Sequence, residues 1–113
     1  MSTASRFAFA LVVAAGFLLA QGPNNGNRDR GKQLFVKYGC YACHGYEGQG
    51  GAAGARLAPR PIAAAALIAY VRHLAGQMPP YTVKVAPDAD LADIRAYLAS
   101  VPEPPKNIPL LNQ

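Results

Sequence analysis

The chain predicts an all-α domain with three main helices, and three observations lead there. Three segments carry apolar residues at helical spacing, and no alternating run between them calls for a strand. The intervening stretches are rich in glycine and proline, which break helices. Both cysteines of the chain fall in one pentapeptide, Cys40-Tyr41-Ala42-Cys43-His44, between the first and second helical segments.

At 113 residues there is room for one domain, and less once the N-terminus is set aside. Arg6 precedes an unbroken apolar run over residues 7–20, which polar Gln21 and Gly22 end. That is the anatomy of a secretory signal, and the run is short for a bilayer span. Ala20 suits cleavage, although Leu18 is not small, so an uncleaved anchor is the alternative. Either way the remainder is expected outside the cytoplasm, in the periplasm. Residues 21–27 read as a flexible leader.

The first helix is expected from Asn27, a suitable N-cap, with Asp29 in its first turn where negative charge suits the dipole. Gly31, Leu34, Phe35 and Tyr38 then share one face, and Gly39 can end the helix in a left-handed conformation. The chain is thereby delivered to Cys40.

C-x-x-C-H is the pattern of c-type haem attachment. Thiols one turn apart are spaced to add across the two vinyl groups of one haem. The histidine that follows is then held under the iron as its proximal ligand. A covalently held, largely apolar macrocycle would also fill the centre of a domain too small to bury much surface by itself.

Residues 45–59 form a glycine-rich loop. Gly48, Gly50 and Ala53 echo a dinucleotide motif, but the strand before and helix after that give the motif meaning are missing. A loop passing close to a flat macrocycle is the better reading. A second helix is expected over residues 62–73 with Pro61 in its first turn and Leu67, Tyr70, Val71 and Leu74 as its stripe. Gly76 and Pro79-Pro80 forbid its continuation. The third helix starts at Asp88, whose carboxylate can cap it, and runs to about Ser100 with Leu91, Ile94, Leu98 and Val101 buried and Tyr97 beside them. Residues 102–113 read as an extended, Pro-rich tail, with Leu110 and Leu111 lying on the body.

A six-coordinate iron needs a second axial donor. Past the signal the chain offers one methionine, Met78, and one further histidine, His73. Met78 stands between a helix end and two prolines, on a stiff segment that is not a core stripe. His73 sits near a helix C-terminus, where an imidazolium is favourable without any other role. Met78 is the expected ligand, with His73 or an open site as alternatives.

The motif at residues 40–44, Met78-Pro79-Pro80-Tyr81 and the helix over residues 88–98 together resemble a class I mono-haem c-type cytochrome across residues 28–101. The resemblance implies a cytochrome c fold around one haem c. It also implies that the first and last helices cross, with Gly31 and Phe35 against Tyr97 and Leu98. The family's Gly-Pro-x-Leu stretch, whose proline carbonyl accepts the proximal histidine's N–H, reads Gly54-Ala55-Arg56-Leu57 here. The proline is missing, but the carbonyl of Ala55 can supply the acceptor.

The function implied is electron transfer with both axial sites filled, and no reaction catalysed by the chain itself. Members of this kind serve as diffusible shuttles or as the cytochrome subunit of a periplasmic dehydrogenase. The expected partners are such a dehydrogenase as donor and an oxidase or another cytochrome as acceptor. The chain would be a monomer or a heteromeric subunit, meeting a membrane only if the signal stays. A catalytic or gas-binding haem needs an open sixth position, against which Met78 argues. A redox disulfide lacks its βαβ setting, and zinc lacks two further ligands.

Formal net charge is +5. Between residues 28 and 84 lie eight basic residues against Asp29 and Glu47, while Asp88, Asp90 and Asp93 gather late. Export and the lack of a basic helix or stacking aromatics exclude nucleic acid. Steering toward an acidic redox partner fits, with Lys32, Lys37 and Lys84 as contacts. Arg56, Arg72, Tyr46 and Tyr81 flank the haem segments as candidate propionate donors.

Overall fold

The computed structural model describes residues 26–73 and 76–106. Four helices follow in order: α1 (Arg28–Lys37), α2 (Tyr41–His44), α3 (Ala64–Arg72) and α4 (Asp88–Ser100). Among the described residues there is no strand. The expected signal, most of the leader, Leu74, Leu110 and Leu111 lie outside the described residues.

α1 begins as its sequence dictates. The Asn27 side chain accepts from the Arg30 amide at 2.9 Å, and Asp29 occupies the first turn. Gly31, Leu34 and Phe35 are buried, and Gly39 follows the helix with φ +74°. The chain then tightens into α2, a single turn that carries Cys43 and His44 and was not foreseen as a helix.

α1 lies across α4. A Cβ on Gly31 would fall 1.9 Å from the Asp93 carbonyl oxygen, so the two backbones touch where only glycine fits. One turn later Phe35, wholly buried, sets its ring 5.7 Å from that of Tyr97. The crossing is the expected one, but Gly31 meets Asp93 and Ile94, not Tyr97 and Leu98. One helical turn separates Gly31 from Phe35, and their partners are displaced along α4 by the same turn. Leu34, Leu91, Ile94 and Leu98 complete this core. Val101, expected among them, is half-buried at the helix end.

A polar lock seals the crossing. The Arg30 guanidinium binds both Asp90 and Asp93, the Tyr38 hydroxyl donates to Asp90, and the Asn27 amide donates to Asp93 at 2.7 Å. The Tyr38 hydrogen bond, helped by Arg30, holds the Asp90 carboxyl below the usual range. The same bond pushes the Tyr38 phenol up. Asp88, the third late acid, accepts from Arg72 at 2.5 Å. The acids therefore neutralise arginines from earlier in the chain and do not stand as a separate negative pole.

α3 is shorter than expected. It starts at Ala64, with Ala63 as an N-cap that brings no side-chain bond. Ile62 remains outside because its carbonyl accepts from Arg95 Nε at 3.1 Å. Leu67 and Val71 are buried against α4, whereas Tyr70 is 56 % exposed. α4 is capped by Pro87 and not by Asp88, whose carboxylate is already committed to Arg72. Gly26, the first described residue, packs on the Ala92 carbonyl, and residues 102–106 are exposed and irregular.

Candidate haem-binding site

The three helical walls and the loops between them enclose a cavity of about 640 Å³. That is within the ~300–1,000 Å³ range of small-molecule sites. Cys40 and Cys43 from α2 and its approach, His44, and Met78 from the α3–α4 connection all line it. Phe35, Leu67, Val71, Leu91, Ile94 and Leu98 form its apolar floor, so the helix faces that build the core also build the site.

α2 sets the geometry of the motif. Its one turn is closed by His44 N–H to the Cys40 carbonyl at 3.1 Å, which places both thiols and the imidazole at one wall. His44 Nδ1 lies 2.6 Å from the Ala55 carbonyl. A carbonyl only accepts, so Nδ1 carries the proton and Nε2 is left with its lone pair free to bind a metal. Gly54 makes this contact possible. A Cβ there would come within 2.6 Å of the Cys43 carbonyl oxygen and 3.0 Å of His44 Nδ1. The missing proline thus does not cost the acceptor.

Both cysteines are free thiols. Burial pushes the Cys40 thiol up to about 11. Redox-active C-x-x-C pairs work through a low-pKa thiolate, and Cys40 is displaced the opposite way. Among the described residues no group of three or more His, Cys, Asp or Glu could hold a metal by itself, so zinc finds no ligand set.

Met78 is half-buried, packed against the core, and lines the cavity. His73 is exposed and is not part of the lining. Of the propionate candidates, Arg56 and Tyr81 line the cavity. Arg72 and Tyr46 do not: Arg72 is spent on backbone carbonyls, and Tyr46 lies outside, its ring stacked 4.7 Å from Tyr41. Burial raises the Tyr81 phenol, whose hydroxyl donates to the Tyr38 carbonyl at 2.6 Å. Sequence reasoning missed Arg60 and Ile62 at the rim. The only signal was the Pro59-Arg60-Pro61 triplet, which holds the backbone at Arg60 extended.

The donor set fits haem. Two thiols at one-turn spacing, an imidazole with its outer nitrogen already satisfied and a thioether share one apolar chamber of suitable size. No helix among the described residues is long and apolar enough to cross a membrane.

Searches of curated proteins and of solved structures return no match. The family model described as cytochrome c oxidase, cbb3-type, subunit III matches residues 26–98. That span runs from the residue that packs under α4 almost to the end of α4 and includes the whole cavity wall. The chain belongs to this family: it is a small c-type cytochrome domain with the all-α cytochrome c fold, and its work is haem-based electron transfer.

Proposed function

We propose that this chain carries electrons through one haem c joined by thioethers to Cys40 and Cys43, with His44 and Met78 as axial ligands of the iron. The observation that carries this reading is the shared chamber: Met78 lines the same cavity as the C-x-x-C-H motif, whereas His73 lies outside it. When bound, the haem supplies a one-electron ferric/ferrous couple. His44 is oriented for its part by the Ala55 carbonyl, which raises the basicity of the coordinating nitrogen. Met78 offers a neutral, soft thioether, which favours the reduced state and raises the potential. The apolar floor excludes water from the group.

The working place is the periplasm, after export directed by the N-terminal segment. The chain acts there as a shuttle or as the cytochrome subunit of an oxidoreductase complex. The family's description favours an oxidase as the acceptor, and a periplasmic dehydrogenase is the donor class that suits the potential.

Expression with haem-attachment machinery tests the reading. The pyridine haemochrome should be that of two thioether bonds, with one iron per chain and haem that survives acid–acetone extraction. Met78→Ala should abolish the weak far-red sulfur-to-ferric-iron band, lower the potential and admit carbon monoxide. His73→Ala should leave all three unchanged. A spectrum that responds to His73→Ala and not to Met78→Ala would overturn the axial assignment.

A further inference from the structure

Arg72 stands outside the cavity yet governs the segment that carries Met78. It sits in the last turn of α3 with its side chain 12 % exposed. Its guanidinium donates in three directions. Nη1 reaches the Tyr81 carbonyl at 2.7 Å; Nη2 reaches the Ala86 carbonyl at 2.7 Å and Asp88 Oδ1 at 2.5 Å. One side chain thereby ties the end of α3, the α3–α4 connection and the start of α4 together.

The contacts converge on Tyr81. Its amide donates to the Val71 carbonyl at 3.2 Å, its carbonyl accepts from Arg72, and its hydroxyl donates to the Tyr38 carbonyl at 2.6 Å. Between this pinned residue and Met78 stand only Pro79 and Pro80. Their fixed φ and missing amides make a short stiff arm with no hydrogen bonds of its own to donate. The backbone of Met78, from which the thioether is hung, is therefore placed by Tyr81.

We propose that Arg72 is a positioning residue for Met78, setting how firmly the thioether holds its place against outside ligands; this rests on the axial reading of Met78 given above. A neutral thioether is a weak donor for ferric iron, so its hold depends on effective concentration. That quantity falls when the tether loosens. Arginine suits the task because its planar fork serves several acceptors at once and stays charged. Lysine keeps the charge but is a single point donor on a flexible stem.

Imidazole titration of the ferric holoprotein reads the hold directly, since imidazole must displace Met78. Arg72→Gln should bind imidazole about tenfold more tightly than the wild type, with a weaker far-red band and a lower potential. Arg72→Lys should fall between. Asp88→Asn, which removes only the outer and exposed partner, should stay within about threefold of the wild type. An arginine with a merely structural role would lower the thermal midpoint and leave imidazole affinity and potential unchanged, which would overturn the proposal. If Arg72→Gln does not accumulate with haem, Arg72→Lys decides alone by the same comparison. Failure of the axial reading looks different: the wild type would lack the far-red band and Met78→Ala would bind imidazole no more tightly. A wild type with the band and a responsive Met78→Ala, beside unresponsive Arg72 variants, would sink the Arg72 proposal alone.

Discussion

His44 Nδ1 lies 2.6 Å from the carbonyl oxygen of Ala55, eleven residues further along the chain. The imidazole is thus held by backbone that Gly54 alone lets come close. Gly54→Ala should push the loop away and weaken this bond, making the coordinating nitrogen less basic. The ferric state then loses support and the potential should rise, by about 59 mV for each tenfold change in relative affinity. Ala55→Pro keeps the acceptor and stiffens the loop. It should leave the potential in place and add about 0.4–1 kcal/mol of stability. Protein-film voltammetry and thermal melts measure both.

The lock between α1 and α4 has a pH window that its two titrating partners define. Tyr38 and Arg30 depress the folded-state value of Asp90. The stability it contributes is therefore complete above the unfolded carboxyl value, about 3.9, and is lost as pH falls through the lower folded value. Tyr38 is shifted upward by the same bond. Its contribution is complete below about pH 10 and is lost as pH rises through the folded value. Denaturation midpoints should form a plateau between these limits. Asp90→Asn should lower the plateau and flatten its acid edge, and Tyr38→Phe should soften its alkaline one, where the raised Tyr81 and Tyr97 phenols still titrate.

Gly31→Ala should cost about 1–3 kcal/mol or more, because the new methyl meets the backbone of Asp93 and the helices must part. Gly51→Ala is the control: nothing lies within 4 Å of a Cβ there. Its effect should stay within about 0.5 kcal/mol. Urea midpoints of the two variants separate the crossing from a general intolerance of glycine replacement.

Lys32, Lys37 and Lys84 are exposed, and no ion pair among the described residues involves them. Arg30 and Arg72 are held by aspartates, which leaves these lysines among the cations available to steer a partner under the proposed function. Electron transfer with an acidic partner should slow as salt rises past about 0.1 M, where the Debye length is about 10 Å. Charge reversal of each lysine should slow it further at low salt. Stopped-flow rates independent of ionic strength would point instead to a preformed complex.

Much of this was legible because local rules act on neighbouring residues. Asn27, Gly39, the stripe of α1 and the breaks at Gly76 and Pro79-Pro80 are all short-range signals, and the structure places them as expected. The start of α3 and the cap of α4 were misjudged for one common reason, although α4 itself runs over Asp88–Ser100 as expected. Ile62 is drawn off by Arg95 and Asp88 by Arg72, partners 33 and 16 residues away that no local pattern announces. The exposure of Tyr70 belongs to the same class: its spacing suits a core stripe, but that face of α3 opens on the cavity. Arg72 was legible only as a basic residue near the site, since two of its three acceptors are backbone carbonyls, which have no sequence signature.

The crossing of α1 and α4 also imposes an order in time. Arg30 waits for acids 60 and 63 residues later in the chain. At a synthesis rate of about 5–20 residues per second, roughly 3 to 12 seconds separate the two halves of that contact. Residues 40–44 emerge inside the interval, on a strand of polypeptide whose closing helix does not yet exist. The crossing cannot close until α4 has followed α1 out, from the ribosome or across a membrane, and until then the wall that carries both thiols stands open.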